Sequence, residues 1–127
     1  MQKKCKISIK NFEIIVDLNN SNTANIIWGS LPIKSDLKTW GNELYFYTSI
    51  KADLEKDAKD SADFGEIAFW PAGGAIAIGF GKTPVSIGNE IRFASECNIW
   101  GKTKFNLKKL NCISEGETIL ISRYSLK

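Results

Sequence analysis

Apolar and polar positions alternate along most of the chain. Cys5, Ile7 and Ile9 alternate with Lys4, Lys6 and Ser8, and Phe12, Ile14 and Val16 alternate with Glu13, Ile15 and Asp17. A period of two marks strands with one buried face. Lys10-Asn11 between the runs can turn the chain, since asparagine tolerates the left-handed region, so the two runs predict a hairpin. Asn19 to Thr23 then offers a cluster of helix N-caps. Ala24, Ile27, Trp28 and Leu31 follow at i, i+3, i+4, i+7 and predict a short amphipathic helix closed by Gly29 and Pro32. On that stripe Trp28 reads as a core plug.

Ile33, Leu37 and Thr39 alternate with Lys34, Asp36 and Lys38 in a third strand, and Gly41-Asn42 forms a two-residue turn. The next strand, Glu43 to Thr48, carries Leu44 and Phe46 on one face and Tyr45 and Tyr47 on the other. Aromatic side chains on both faces predict a strand covered on both sides or bordering a groove. The run DLEKDAKDSAD after Ala52 reads as a solvated loop or helical turn.

Gly65 to Pro84 is the stretch the rest is arranged around. Ile67 and Phe69 alternate with Ala68 and Trp70, and Pro71 to Gly74 supplies a turn. In the second strand Ile76, Ile78 and Phe80 share one face, while Ala75, Ala77 and Gly79 share the other. A face of alanine and glycine alone lets something bulky lie close to the sheet, either a packed helix or a ligand. Val85 to Glu96 looks irregular, and Asn98 to Lys104 reads as a strand with a bulge or bend at Gly101. Phe105, Leu107, Leu110 and Ile113 make a short helix, and Gly116 releases the chain into a last strand, Glu117 to Tyr124. About eight strands and two short helices predict a mainly-β chain, a small closed or nearly closed barrel forming one domain over 1–127.

Composition narrows the chemistry. The chain has 127 residues, a net charge of +3, and apolar and charged fractions of 43% and 24%. There is no histidine, which removes every Ser-His-Asp and Cys-His arrangement and every imidazole zinc ligand. Cys5, Cys97 and Cys112 are odd in number and widely spaced, so no metal or redox pair is expected and a reduced, cytoplasmic setting fits. The basic N-terminus lacks the apolar core of a signal peptide, and no stretch is long and apolar enough to span a membrane. Gly81-Lys82-Thr83 fails as a phosphate loop, because Ile76 stands where the first glycine belongs and Pro84 blocks an immediate helix. Gly79-x-Gly81 fails as a dinucleotide fingerprint, with Pro84 in the third glycine's place. No motif points to a cofactor. Asp36, Glu43 and Glu66 read as solvated strand-edge carboxylates.

LKTWGNELYFYTSI, GEIAFWPAGGAIAIGFGKTP and the helix followed by GETILIS resemble the small cyclophilin-like proteins of archaea and bacteria, a family without a settled activity. The resemblance runs in order from the first strand to Ser122. It implies an eight-stranded barrel closed by helices, with a groove on its outer side. True cyclophilins are peptidyl-prolyl isomerases, which lower a barrier of ~18–20 kcal/mol with an apolar pocket and an arginine donating to the prolyl nitrogen. By resemblance Phe80 falls near the pocket phenylalanine, and Asn98 to Lys102 near the later strand ending in Phe-Gly-Lys. The arginine's strand maps near Leu37 to Glu43, which holds Lys38 and no arginine.

Three readings follow. A binding module would take a peptide loop or small molecule in a groove bordered by Trp40, Tyr45, Trp70, Phe80, Lys82, Thr83 and Arg92. A prolyl isomerase would use a displaced donor, Arg92 or Lys82. A weak nucleic-acid binder is disfavoured, because no basic stripe tracks the aromatic residues. Exposed barrel ends leave a homodimer open.

Overall fold

The computed structural model describes residues 2–125. Its strands are β1 (Lys4–Ile9), β2 (Phe12–Leu18), β3 (Ile33–Asp36), β4 (Lys38–Thr39), β5 (Glu43–Tyr47), β6 (Lys59–Ala62), β7 (Glu66–Trp70), β8 (Ala75–Gly79), β9 (Ile91–Lys102) and β10 (Thr118–Tyr124). Helix α1 spans Asn22–Ser30, and a 3-10 helix spans Leu107–Cys112. The first hairpin pairs Ile7 with Ile14 and Cys5 with Val16, so both apolar sets face inward. Lys10, at φ 51, takes the left-handed position of its turn in place of Asn11. Ser21 caps α1, its hydroxyl accepting from the Ala24 N–H at 3.1 Å.

All ten strands belong to one antiparallel sheet, ordered β3-β10-β1-β2-β9-β7-β8-β5-β4 with β6 paired to β9. The third expected strand divides at Leu37. Its first half, β3, pairs with β10, and its second half, β4, pairs with β5. The Leu37 N–H donates to the Glu117 carbonyl and the Gly116 N–H to the Leu37 carbonyl, both at 2.8 Å. One short segment therefore lies at both edges of the sheet, and the sheet curls into a nearly closed barrel. That division and the formation of β6 inside the charged run raise the count from about eight strands to ten. The run is not wholly solvated, because Lys59 to Ala62 gains backbone partners on β9.

Two other expectations change. Val85 to Glu96 is not irregular throughout, since β9 begins at Ile91. The alanine and glycine face of β8 carries no helix: the start of β9 lies over it, and a Cβ added to Gly79 would meet Ile91 Cγ2 at 2.3 Å. The bulge in β9 falls where expected. Ile67 pairs with Gly101 and Ala68 with Ile99, so β9 holds one extra residue, Trp100, whose side chain is fully buried in the core.

The barrel interior is filled by Ile7, Ile14, Phe46, Phe69, Ile78 and Trp100 among others. A separate small cluster of Ala68, Ala77, Phe93 and Cys97 sits on the opposite face of the sheet. Between α1 and β9 the segment after β5 is pinned by buried Asn98. Its amide donates to Thr23 Oγ1 and the Asp53 carbonyl, both at 2.9 Å, and accepts from the Glu55 N–H at 2.9 Å. Glu55 in turn accepts from the Thr23 N–H at 2.9 Å, placing a carboxylate on the first turn of α1.

Candidate functional site

The outer cluster borders a cavity of about 210 Å³, and strand register builds it. Along one row Tyr45, Ala77 and Ala68 lie side by side on β5, β8 and β7; along the next lie Tyr47, Ala75 and Trp70. Alanine on the middle strand makes a low floor between two aromatic walls. Tyr45 and Tyr47 meet edge to face, with ring centroids 5.8 Å apart. Phe93, Ala94 and Cys97 of β9 line the cavity, as do Trp40 and Glu43 of the β4–β5 hairpin.

Main-chain bonds hold that hairpin in place. The Trp40 N–H donates to the Glu43 carbonyl at 3.0 Å, the Asn42 N–H to the Lys82 carbonyl at 2.8 Å, and the Phe80 N–H to the Asn42 carbonyl at 2.8 Å. Gly41 has φ +61, and a Cβ there would come within 2.9 Å of the Lys82 oxygen. The Trp40-Gly41 turn and the Gly81 to Pro84 loop are therefore packed against each other, backbone to backbone.

Glu43 is the anomaly of the site. It is 6% exposed, and its Oε1 is buried without a hydrogen-bond partner. Burial raises its carboxyl from 4.5 to about 7. The Cys97 thiol is pushed up to about 12 by burial, with the nearby Glu43 charge adding to the effect. Burial also raises the Tyr45 phenol, followed by its neighbour Tyr47. Among the described residues no lysine or arginine lines the cavity. Glu43 and Glu66 are thus not solvated edge residues. Glu66, 7% exposed, accepts from Lys59 Nζ and from the Asp63 N–H, both at 2.7 Å. Asp36 is exposed.

Of the residues singled out in the sequence, Trp40, Tyr45 and Trp70 line this one cavity. Phe80, 8% exposed, packs into the barrel interior and borders a different depression together with Lys82, Asp63, Glu90, Asn106 and Lys108. Thr83 shapes a loop: its hydroxyl donates to the Arg92 carbonyl at 2.5 Å. Arg92 is held by carboxylates, with Nε and Nη2 on Glu90 at 2.9 and 2.8 Å and Nη1 on Asp60 at 2.9 Å. Its hydrogen bond keeps the Glu90 carboxyl down at about 2. Arg123 lies over the Trp28 ring at 4.5 Å and donates to the Trp28 carbonyl at 3.0 Å. Among the described residues no group of three or more Asp, Glu or Cys is placed to hold a metal ion. No described helix is long and apolar enough to cross a membrane.

Sequence reasoning missed Glu43, Tyr47, Phe93 and Cys97 as cavity residues. Parity could have found the first two: Glu43, Tyr45 and Tyr47 are two apart on one strand and share its outward face. Phe93 was hidden in the segment without a readable period, and Cys97 fell between that segment and the next expected strand.

Comparison with known proteins agrees with this architecture. A model of the family described as Cyclophilin-like matches residues 3–122, and the chain belongs to that family. Among solved structures, the solution structure of the hypothetical protein AF2241 from Archaeoglobus fulgidus superimposes with a TM-score of 0.82. It is 34% identical, and the match covers 97% of this chain and 95% of that one. A search of curated proteins returned no match.

Proposed function

We propose that this cyclophilin-like chain is a binding module that takes a small ligand, or one side chain of a peptide loop, in the cavity on its outer face. The observation carrying this reading is the pairing of an alanine floor and aromatic walls with one buried carboxyl oxygen that has no partner. Binding sites characteristically combine an apolar lining with a few placed polar groups. A buried acceptor left unpaired costs about 1–3 kcal/mol, which a ligand bearing a donor recovers. The volume suits one head group or side chain, since a dry cavity of about 150 Å³ is large enough to hold benzene.

The isomerase reading needs a free guanidinium beside a proline pocket, and the engagement of Arg92 by Glu90 and Asp60 counts against that residue as donor. A protease-coupled assay on X-Pro peptides tests it, and a rate equal to buffer removes it.

The binding reading is tested by thermal unfolding against short peptides, amines and neutral aromatic compounds. A ligand at a hundredfold its Kd adds about 2.7 kcal/mol, which raises Tm by roughly 10 °C for a domain of this size. Wild type should show such a rise, and Trp70→Ala should lose it. A rise equal in both proteins, or no rise with any compound, overturns the reading.

A further inference from the structure

Resting on that binding reading, we propose that the cavity selects an organic cation, an alkylammonium head group seated among Trp40, Tyr45, Tyr47, Trp70 and Phe93 with Glu43 as its counter-charge. Other shielded carboxylates in this fold are satisfied from within the chain. Glu66 has Lys59, Glu90 has Arg92, and Glu55 has the N-terminal turn of α1. Glu43 is the exception: among the described residues its buried Oε1 has neither a cation nor a hydrogen-bond donor, and the residue lines a cavity rather than lying within solid packing. A buried carboxylate with no partner is strongly disfavoured unless something supplies the opposite charge.

The rings point the same way. An aromatic face carries negative charge density, so several rings around one small volume attract a desolvated cation. An anionic ligand would meet Glu43 and find no cationic side chain on the lining. A neutral ligand would gain the apolar contact alone. The alanine floor sets the size: about 210 Å³ admits a trimethylammonium group or the end of a lysine side chain.

Proton linkage follows from the same arrangement. In the empty cavity burial favours the protonated carboxyl, and an arriving cation favours the ionised one. Binding then releases a proton, and affinity rises with pH up to neutrality. Cys97 and Tyr45, which share the cavity, ionise well above that range.

The test is calorimetric titration of the whole protein with choline, with neohexanol as its uncharged carbon isostere, and with Nα-acetyl-trimethyllysine amide as a side-chain source. Choline or the trimethyllysine derivative should bind at least about tenfold more tightly than neohexanol. The tighter of the two identifies the source as a free small molecule or a peptide. Affinity should rise between about pH 5.5 and pH 7.5, with a binding enthalpy that changes with the buffer's ionisation enthalpy. Glu43→Gln, checked for folding by circular dichroism, should lose the preference for the cation and the proton release together. Neohexanol binding as tightly as choline would overturn the cation inference while leaving a binding module. Failure of both cations while other compounds raise Tm would do the same. Silence across this series and the wider thermal screen would sink both.

Discussion

Trp70 donates its indole N–H to the Ser95 hydroxyl across 2.6 Å, tying the cavity wall on β7 to the strand β9. The ring is also held from beneath, since a Cβ added to Gly73 would fall 2.3 Å from the indole carbon Cζ3. Gly73→Ala should therefore push the ring out of the wall. We expect a changed near-UV tryptophan signal and at least about tenfold weaker ligand binding, with global stability lowered by roughly 1 kcal/mol. An unchanged near-UV spectrum would show that Trp70 is not positioned by this contact. Ser95→Ala should cost no more than about 1 kcal/mol, because the bond is exposed.

Glu43 gives stability a pH signature. Its folded-state pKa lies above its unfolded value, from 4.5 to about 7. The contribution of the neutral buried carboxyl is fully present below about pH 4.5 and is lost as pH rises through about 7. The shift corresponds to roughly 3 kcal/mol at about 1.4 kcal/mol per pH unit. Glu43→Gln keeps the shape and removes the titration. Urea unfolding at several pH values should show the variant gaining on wild type by up to that amount between acid and neutral pH. A constant difference across the range would mean that Glu43 is not buried in the folded state.

Asn98 ties three parts of the chain together through its side-chain amide. Asn98→Leu removes the donors and acceptor and leaves Thr23 Oγ1, the Asp53 carbonyl and the Glu55 N–H without their partner. We expect a loss of roughly 3 kcal/mol by denaturant unfolding and faster amide exchange in residues 53–58. Slow exchange there in the variant would mean that the segment holds itself in place.

The thiols should divide cleanly. Cys5 and Cys97 are buried, and burial pushes both up to about 12, whereas Cys112 is exposed. Under native conditions a maleimide should modify Cys112 alone, and all three cysteines after unfolding. Rapid native labelling of Cys97 would place it in open solvent and contradict its burial in the cluster with Ala68, Ala77 and Phe93.

Much of the barrel was legible because alternation is a local signal. Cys5, Ile7 and Ile9 face the core as their spacing requires, as do Ile67 and Phe69, and Ile76 and Ile78. The division at Leu37 was not legible, because which neighbour a strand pairs with is decided by segments far away in sequence, here β10 and β5. β6 was hidden for a related reason. Its residues Lys59 to Ala62 are polar, and only pairing with β9 makes them a strand. At the cavity Trp40, Tyr45, Trp70 and the alanine floor could be read from the pattern, but Phe93 and the state of Glu43 could not. The Glu43 carboxylate looks like any edge residue until the fold leaves it only 6% exposed beside the cavity it shares with Trp40, Phe93 and Cys97. The packing of Gly41 on Lys82 explains why Trp40-Gly41 and Gly81 to Pro84 belong together: each fixes the other's backbone.

The most direct test of the cavity as the binding site uses the chain's four tryptophans. Trp40 and Trp70 line the cavity, Trp28 lies on α1 beneath Arg123, and Trp100 is sealed in the barrel interior. A two-dimensional NMR spectrum of the indole N–H groups, recorded while choline or any compound that raises Tm is titrated in, reads all four at once. The resonances of Trp40 and Trp70 should move and saturate together while those of Trp28 and Trp100 stay in place. Movement of Trp28 alone, or saturable binding with Trp40 and Trp70 unmoved, would place the ligand elsewhere and contradict the account.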